Sequence, residues 1–315
     1  MYEIAIQKYE IPEVAAPYVE HFYTAEELAF AEALDAEEFD EEGAAEVLAS
    51  IDGTPLAGPE AVTDAASFIA RAYARGTIDK ADAPGAYKLG TFYGHLDVFS
   101  VSEHDAWMEL DRETRRAIDD WYFEAYMDWL RTQPIEHPSD DRFLTLDETL
   151  DFIDAQERPV YLNTCDCRSL SGDCGLPTRT CLTYKSGPNT FKDRGLSQAL
   201  TKDEAKDVVR AADKAGLMHT ANPNGICNCC GDCCYLMRGM RELDSLGTWP
   251  PSPYVVDFDA ERCVGCGRCV KRCHFGVFER EGRTVTARTD RCAGCSICTT
   301  TCPVNALSLK ERIQQ

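Results

Sequence analysis

The first 164 residues of this 315-residue chain contain no cysteine, although the chain holds 17 in all. A secreted disulfide scaffold spreads its cysteines along the chain, so this crowding points to metal sites in a reducing compartment. No run of about 20 apolar residues occurs, which excludes an ordinary membrane-spanning helix. The opening MYEIAIQKYEIPEV has no basic start, no apolar stretch and no twin arginine, so the expectation is a leaderless, cytoplasmic protein without membrane insertion. Neither G-x-G-x-x-G nor a P-loop is present, so no nucleotide motif supports a self-contained enzyme. Positive charge is scarce in the first half. Residues 1–160 carry 37 acidic and 11 basic side chains, a balance of −26; residues 161–315 carry 17 and 21, a balance of +4; together these give the net −22. An acidic half reads as a solubilising surface, as salt adaptation, or as repulsion of nucleic acid and anionic membranes.

What is present divides the chain into regions 1–158, 159–257 and 258–315, of α+β class. In the first, Thr24 and Glu27 form a capping box that opens a helix to about Ala33. A short helix is expected over Ala44–Ser50. A third should begin near Pro59, with Val62, Ala66, Phe68, Ile69 and Tyr73 as its apolar face and Gly76 as its stop. Two short strands follow, Thr77-Ile78-Asp79 and Tyr87-Lys88-Leu89. Three helices and a hairpin are the order of a winged helix. Its candidate recognition helix sets Glu60 and Asp64 against Arg71 and Arg75. Phosphate contacts supply most non-specific nucleic-acid affinity, so the acidic balance favours a protein-docking module over a DNA binder. A long helix is predicted from about Arg112 to Arg131, with Ile118, Trp121, Tyr122, Ala125, Tyr126 and Trp129 as a core stripe. Pro134, Pro138 and Ser139 mark a linker, and a short helix follows around Glu148 to Ala155.

The second region is cysteine-rich. The strand Val160-Tyr161-Leu162 delivers Cys165-Asp166-Cys167-Arg168, and Cys174 and Cys181 follow. Thr201 and Glu204 cap a helix that runs to about Ala215 and stops at Gly216. A second box then packs Cys227, Cys229, Cys230, Cys233 and Cys234 into eight residues. Adjacent cysteines point apart, so a multi-iron cluster or two neighbouring sites accommodates them better than one small ion. The alternatives are one or two further iron-sulfur clusters, one cluster plus zinc, or plain buried thiols. The simplest assignment is one composite site built from both boxes. Arg168 would neutralise cluster charge or form a surface salt bridge. His219, just past a helix end, would satisfy the helix carbonyls or line a metal or substrate site.

The third region repeats one spacing rule: Cys263-x-x-Cys266-x-x-Cys269-x-x-x-Cys273, then Cys292-x-x-Cys295-x-x-Cys298-x-x-x-Cys302-Pro303. Zinc or a disulfide framework is the alternative to iron and sulfide. Gly265, Gly267 and Gly294 let the backbone wrap closely. This segment resembles the two-cluster bacterial ferredoxins, in which three closely spaced thiolates grip one cluster and the fourth reaches to the other. The resemblance implies two [4Fe-4S] clusters, one on Cys263, Cys266, Cys269 and Cys302 and the other on Cys292, Cys295, Cys298 and Cys273. His274 stands where that family usually has proline, and reads as a change of turn geometry. The Cys229-Cys230-Gly231 triplet is similar to the Cys-Cys-Gly signature of heterodisulfide reductase subunits with noncubane clusters. The downstream Cys-x-x-Cys of that signature falls on Cys263 and Cys266, which the tail already uses. Over about residues 20–310 the order of elements resembles cytoplasmic 4Fe-4S ferredoxin-type proteins of anaerobes.

Two functions follow as expectations. One is an electron-transfer protein relaying single electrons to or from a partner oxidoreductase, with Arg268, Lys271, Arg272 and Arg291 raising cluster potentials and offering a basic docking face. The other is a catalytic or redox-sensing protein whose middle region holds an open-site cluster fed by the tail.

Overall fold

The computed structural model describes residues 2–58, 63–134, 137–172 and 174–312. Pro59, Glu60 and Val62, expected in the third helix, lie outside the described residues. By its internal contacts the chain divides into two units, Met1–Tyr122 with Ser186–Ser197, and Phe123–Lys185 with Gln198–Gln315.

The first unit begins with α1 (Glu3–Lys8), α2 (Val19–Phe22) and α3 (Ala25–Ala33). The Thr24–Glu27 capping box that opens α3 is complete, with Glu27 N donating to Thr24 Oγ1 and Thr24 N to the Glu27 carboxylate. Next come α4 (Glu41–Ile51) and α5 (Ala65–Arg75). The side chain of Asp64 caps α5 by accepting from Ser67 N, so the helix starts later than the sequence pattern suggests. Gly76, at φ 78°, ends it in the left-handed region that glycine tolerates best. Phe30, Leu48, Phe68 and Ile78 fill the core between these helices and an antiparallel hairpin of β1 (Ile78–Lys80) and β2 (Tyr87–Leu89). The unit continues through α6 (Phe92–Ser102), α7 (His104–Glu109) and the start of α8 (Arg112–Arg131). The excursion 186–197 is held by Tyr73, Lys80 and Asp79, which bond or pair with Asp193, Asn189 and Arg194.

Only part of the expected α8 stripe is core. Ile118 and Tyr122 are buried in the first unit, and Met127 and Leu130 in the second, whereas Trp129 is 50% exposed. At 100° per residue, Trp129 falls on the opposite side of the helix from Met127.

In the second unit a six-stranded antiparallel sheet has the order β3-β7-β8-β5-β4-β6. The strands are β3 (Arg142–Leu144), β4 (Val160–Thr164), β5 (Arg179–Thr183), β6 (Gln198–Leu200), β7 (Met218–Asn222) and β8 (Gly225–Cys229). Two capped helices, α9 (Leu146–Ala155) and α11 (Lys202–Ala215), pack together over one face. Ala205 and Val209 of α11 meet Leu162, Leu182, Ala221 and Ile226 of the strands there. Side chains alternate along a strand. Because Ile226 and Leu182 face the helices, Cys227, Cys229 and Cys181 are turned to the opposite face. The short helix α10 (Asp166–Ser171) follows β4, and α12 (Tyr235–Glu242) follows the second cysteine box.

The end of the chain adds β9 (Tyr254–Phe258), α13 (Arg268–Arg272), the hairpin β10 (Phe278–Glu281) and β11 (Thr284–Ala287), and β12 (Leu307–Glu311). β9 and β12 pair antiparallel and bracket both cysteine runs.

Candidate functional site

The tail forms two cavities. One is lined by Cys263, Cys266, Cys269 and Cys302, with Val285 and Leu307 among its apolar walls. The other is lined by Cys273, Cys292, Cys295 and Cys298, with Phe275 and Ile297. Each therefore draws three thiols from one run and one from the other. Neither lining includes a carboxylate, a donor set that suits iron-sulfur chemistry rather than a hard cation. Backbone N–H groups point at sulfur: Val256 N at Cys292 Sγ (3.4 Å), Gly265 N at Cys263 Sγ (3.4 Å) and Ala306 N at Cys302 Sγ (3.2 Å). Burial pushes the Cys269, Cys273, Cys295 and Cys298 thiols above the ordinary range. A positive centre would offset that cost, because the ligating form is the thiolate. Gly265, at φ 66°, has no room for a side chain, since a Cβ would lie 1.9 Å from Arg283 O.

The first cavity reaches the surface at Cys266, Arg268 and Val264, which is 49% exposed. The second is turned inward. Ala293, Cys295 and Ile297 share one packed core with Cys229, Cys230, Cys233 and Cys234 of the middle box. His274 lies hard against Gly231, where an added Cβ would sit 2.5 Å from the His274 Cβ and 2.7 Å from its ring. Its Nε2 is 2.8 Å from Gly216 O. The residue that breaks the ferredoxin pattern thus joins the tail to the middle region.

Arg272 is not part of a free basic face. Its guanidinium donates to the carbonyls of Asp213, Lys214 (3.1 Å) and Ile297 (3.2 Å), and pairs with the Asp213 carboxylate at 3.4 Å. Those acceptors belong to the end of α11 and to the second cysteine run, so its charge is spent internally.

All nine middle cysteines are brought together, and they separate into two groups. Six form a closed ring of thiol contacts. Cys165 touches Cys167 and Cys181, Cys167 touches Cys234, Cys229 touches Cys227, and Cys227 touches Cys181. Cys234 and Cys229 close it with sulfurs 3.2 Å apart. Cys227 has exposed surface but directs its thiol into the ring. Contacts from Cys167 and Cys181, with the Arg168 charge, hold the Cys165 thiol well below its ordinary range; Cys167 and Cys229 do the same for Cys234. Six sulfurs exceed the four positions of one tetrahedral ion, so the ring suits a polynuclear centre.

The other group is Cys174, Cys230 and Cys233, with the carboxylate of Asp232; these ligand atoms all lie within 4.8 Å of one another. The Cys233 contact, helped by Arg168, lowers the Cys230 thiol to about 7. Asp232 is exposed, whereas Cys230 and Cys233 are buried. The cysteine spacing did not reveal Asp232 as a donor. Its place between Cys230 and Cys233 was the available signal.

Arg168 lies between the groups. It is 3% exposed and donates to Pro177 O, Thr180 Oγ1 (3.2 Å) and Asn228 O (2.6 Å), which rules out the surface salt bridge. His219 is also not a helix cap. It is buried on β7 with Nδ1 2.6 Å from Asn228 Oδ1, and Nε2 lies 3.8 Å from the Asp213 carboxylate. Being on a strand, it turns its ring onto the helix-covered face of the sheet. Its neighbour Thr220 faces the thiols, with Oγ1 3.5 Å from Cys229 Sγ.

Comparison with known proteins gives the class first. Residues 256–309 match the 4Fe-4S dicluster domain family. That match and the paired cavities make the C-terminal part a 4Fe-4S ferredoxin-like domain, which supports iron-sulfur electron transfer in general terms. Over 64 residues the chain is also 47% identical to the archaeal glutamate synthase [NADPH] of Methanocaldococcus jannaschii. The matched stretch is 20% of this chain and spans only 12% of that relative. No solved structure matches the chain significantly.

Proposed function

We propose that the chain relays single electrons to or from a partner oxidoreductase. The observation that carries this reading is the shared core of the inner tail cavity and the middle cysteine box, joined where His274 meets Gly231. In this reading Cys263, Cys266, Cys269 and Cys302 hold one [4Fe-4S] cluster, and Cys273, Cys292, Cys295 and Cys298 hold the other. Such clusters supply one-electron chemistry at potentials tuned by charge, hydrogen bonds and exposure. The chain's own part is to hold the thiolates, direct N–H groups at them and exclude water. Cys266, Val264 and Arg268 form the outward port, and the middle cysteines, Cys165, Cys167, Cys174, Cys181, Cys227, Cys229, Cys230, Cys233 and Cys234, form the inward terminus. In this reading the relay occupies regions 159–257 and 258–315, with 1–158 ahead of it, in a cytoplasmic setting.

The α3–α5 helices and the β1–β2 hairpin form a winged-helix-like module that docks the partner rather than nucleic acid. Arg71 is paired with Glu26 at 2.7 Å, and Arg75 with Glu27 (3.1 Å) and Glu103 (2.6 Å), so the cations of α5 are already neutralised. A second reading, catalysis or sensing at an open site in the middle region, is favoured by one observation, the exposed carboxylate of Asp232 beside three thiols.

Cys302→Ser tests the relay. Under anaerobic conditions, with a low-potential protein donor, the variant should lose the spectroscopic signature of the Cys263 cluster and most of the rate at which the middle centre is reduced. An unchanged reduction rate, or damage confined to the cluster of Cys292, would overturn it.

A further inference from the structure

The paired cysteines of the second box have a separate consequence. Cys229 and Cys230 are neighbours, and so are Cys233 and Cys234. One member of each pair, Cys229 and Cys234, belongs to the six-thiol ring; the other, Cys230 and Cys233, belongs with Cys174 and Asp232. Successive side chains on extended backbone project oppositely, so one strand end can line two sites at once. Cys234 caps α12 in an extended conformation, at φ −63° and ψ 122°.

We infer that Cys174, Cys230, Cys233 and Asp232 hold a single tetrahedral divalent ion of their own, zinc or iron(II), separate from the polynuclear centre that the six-thiol ring would hold. The inference rests on the reading of the middle cysteines as metal ligands. The four donors lie within 4.8 Å of one another. Ligands around a tetrahedral thiolate-bound zinc sit about 3.8 Å apart, from metal–sulfur bonds of about 2.3 Å, so small side-chain movements close the site. Three sulfurs and one oxygen complete a four-coordinate shell without any member of the ring. Arg168, between the groups, offsets the negative charge that two thiolate-rich sites would otherwise concentrate at close range. The two groups also differ in access. Cys230 and Cys233 are buried and Cys174 is half-buried, while Asp232 faces solvent. The ion is therefore held by sulfur from within and closed by a carboxylate on the open side, the donor most readily exchanged by a soft ion.

Metal and acid-labile sulfide counts on the anaerobically purified full chain test this, with cobalt(II) loading as a second readout. Cys174→Ser should lose one metal equivalent while sulfide stays unchanged. Asp232→Ala alters an exposed position and should fold; it should bind cobalt(II) at least about tenfold more weakly. Asp232→Cys should restore tight binding and shift the visible cobalt bands towards a four-thiolate spectrum. Loss of several irons together with sulfide in Cys174→Ser would place Cys174 in the polynuclear centre and overturn the inference, as would cobalt binding indifferent to Asp232. If the middle region held no sulfide, the relay reading would fail while the cobalt readout still decided the single-ion site.

Discussion

Gly231 and His274 show how much one atom decides in this molecule. A methyl group on Gly231 would overlap the His274 side chain at 2.5–2.7 Å, and the half-buried imidazole is anchored to Gly216 O. Overpacking of this kind costs about 1–3 kcal/mol. Gly231→Ala should therefore lower the unfolding free energy of the second unit by that order and reduce metal retention in the middle box. His274→Ala opens the space, so the double variant should recover most of the loss. Denaturant unfolding of both single variants and the double variant measures the coupling. Equal losses with no recovery would show that the histidine yields without cost.

Among the helices, the α5–α6 contact stores a response to pH. His95 of α6 is fully buried, with Nδ1 2.7 Å from Arg75 O and Nε2 3.0 Å from Phe22 O. A neutral ring can donate to only one of those carbonyls. Burial and the Arg75 charge nevertheless outweigh the Glu27 charge and both carbonyls and hold the pKa down, to about 4. Burial dominates because the charged form of the ring would lose its hydration there. The folded pKa lies below the unfolded value near 6.5, so the unfolded chain takes up the proton first. Stability is then complete above about pH 6.5 and is lost as the pH falls towards 4, by about 1 kcal/mol at pH 5.5. Thermal unfolding of the full chain should show the first unit's transition falling between pH 7.5 and 5.5, with a flatter slope in His95→Gln. An unchanged slope would mean that folding leaves the proton affinity of the ring near its unfolded value.

On the scale of the whole chain, charge is unevenly placed. The acidic residues concentrate where no cysteine occurs, and the basic residues of the tail lie near thiols. A region with a balance of −26 and with its α5 arginines already paired should not hold DNA. The full chain should leave duplex DNA unshifted at micromolar protein and low salt. A salt-sensitive shift would reverse the assignment, because that salt dependence is the mark of phosphate neutralisation.

Local chemistry was legible in the residues themselves. The Thr24–Glu27 and Thr201–Glu204 capping boxes, the Gly76 and Gly216 stops and the β1–β2 hairpin are set by neighbours within a few positions. The twofold Cys-x-x-Cys-x-x-Cys rule is equally local, and it was enough to indicate a 4Fe-4S dicluster domain. Longer-range relations were not legible. Trp129 fits a helical stripe by spacing alone, but the partners of Met127 and Leu130 decide which side of α8 is core. Arg272 reads as a surface cation until the end of α11 supplies its acceptors. Arg168 reads likewise until β8 covers it. Assigning Cys229 and Cys230 to different groups requires the pairing of β8 with β7 and β5. Strand register is fixed by the packed face beneath, and no spacing of cysteines encodes it. The sequence alone determined where thiols crowd and that the tail carries the 4Fe-4S dicluster pattern, because cysteine density and spacing are properties of the chain. Which sulfurs lie together, and that the Asp232 carboxylate lies beside three of them, was decided only by tertiary structure, which alone brings the two boxes together across the sheet.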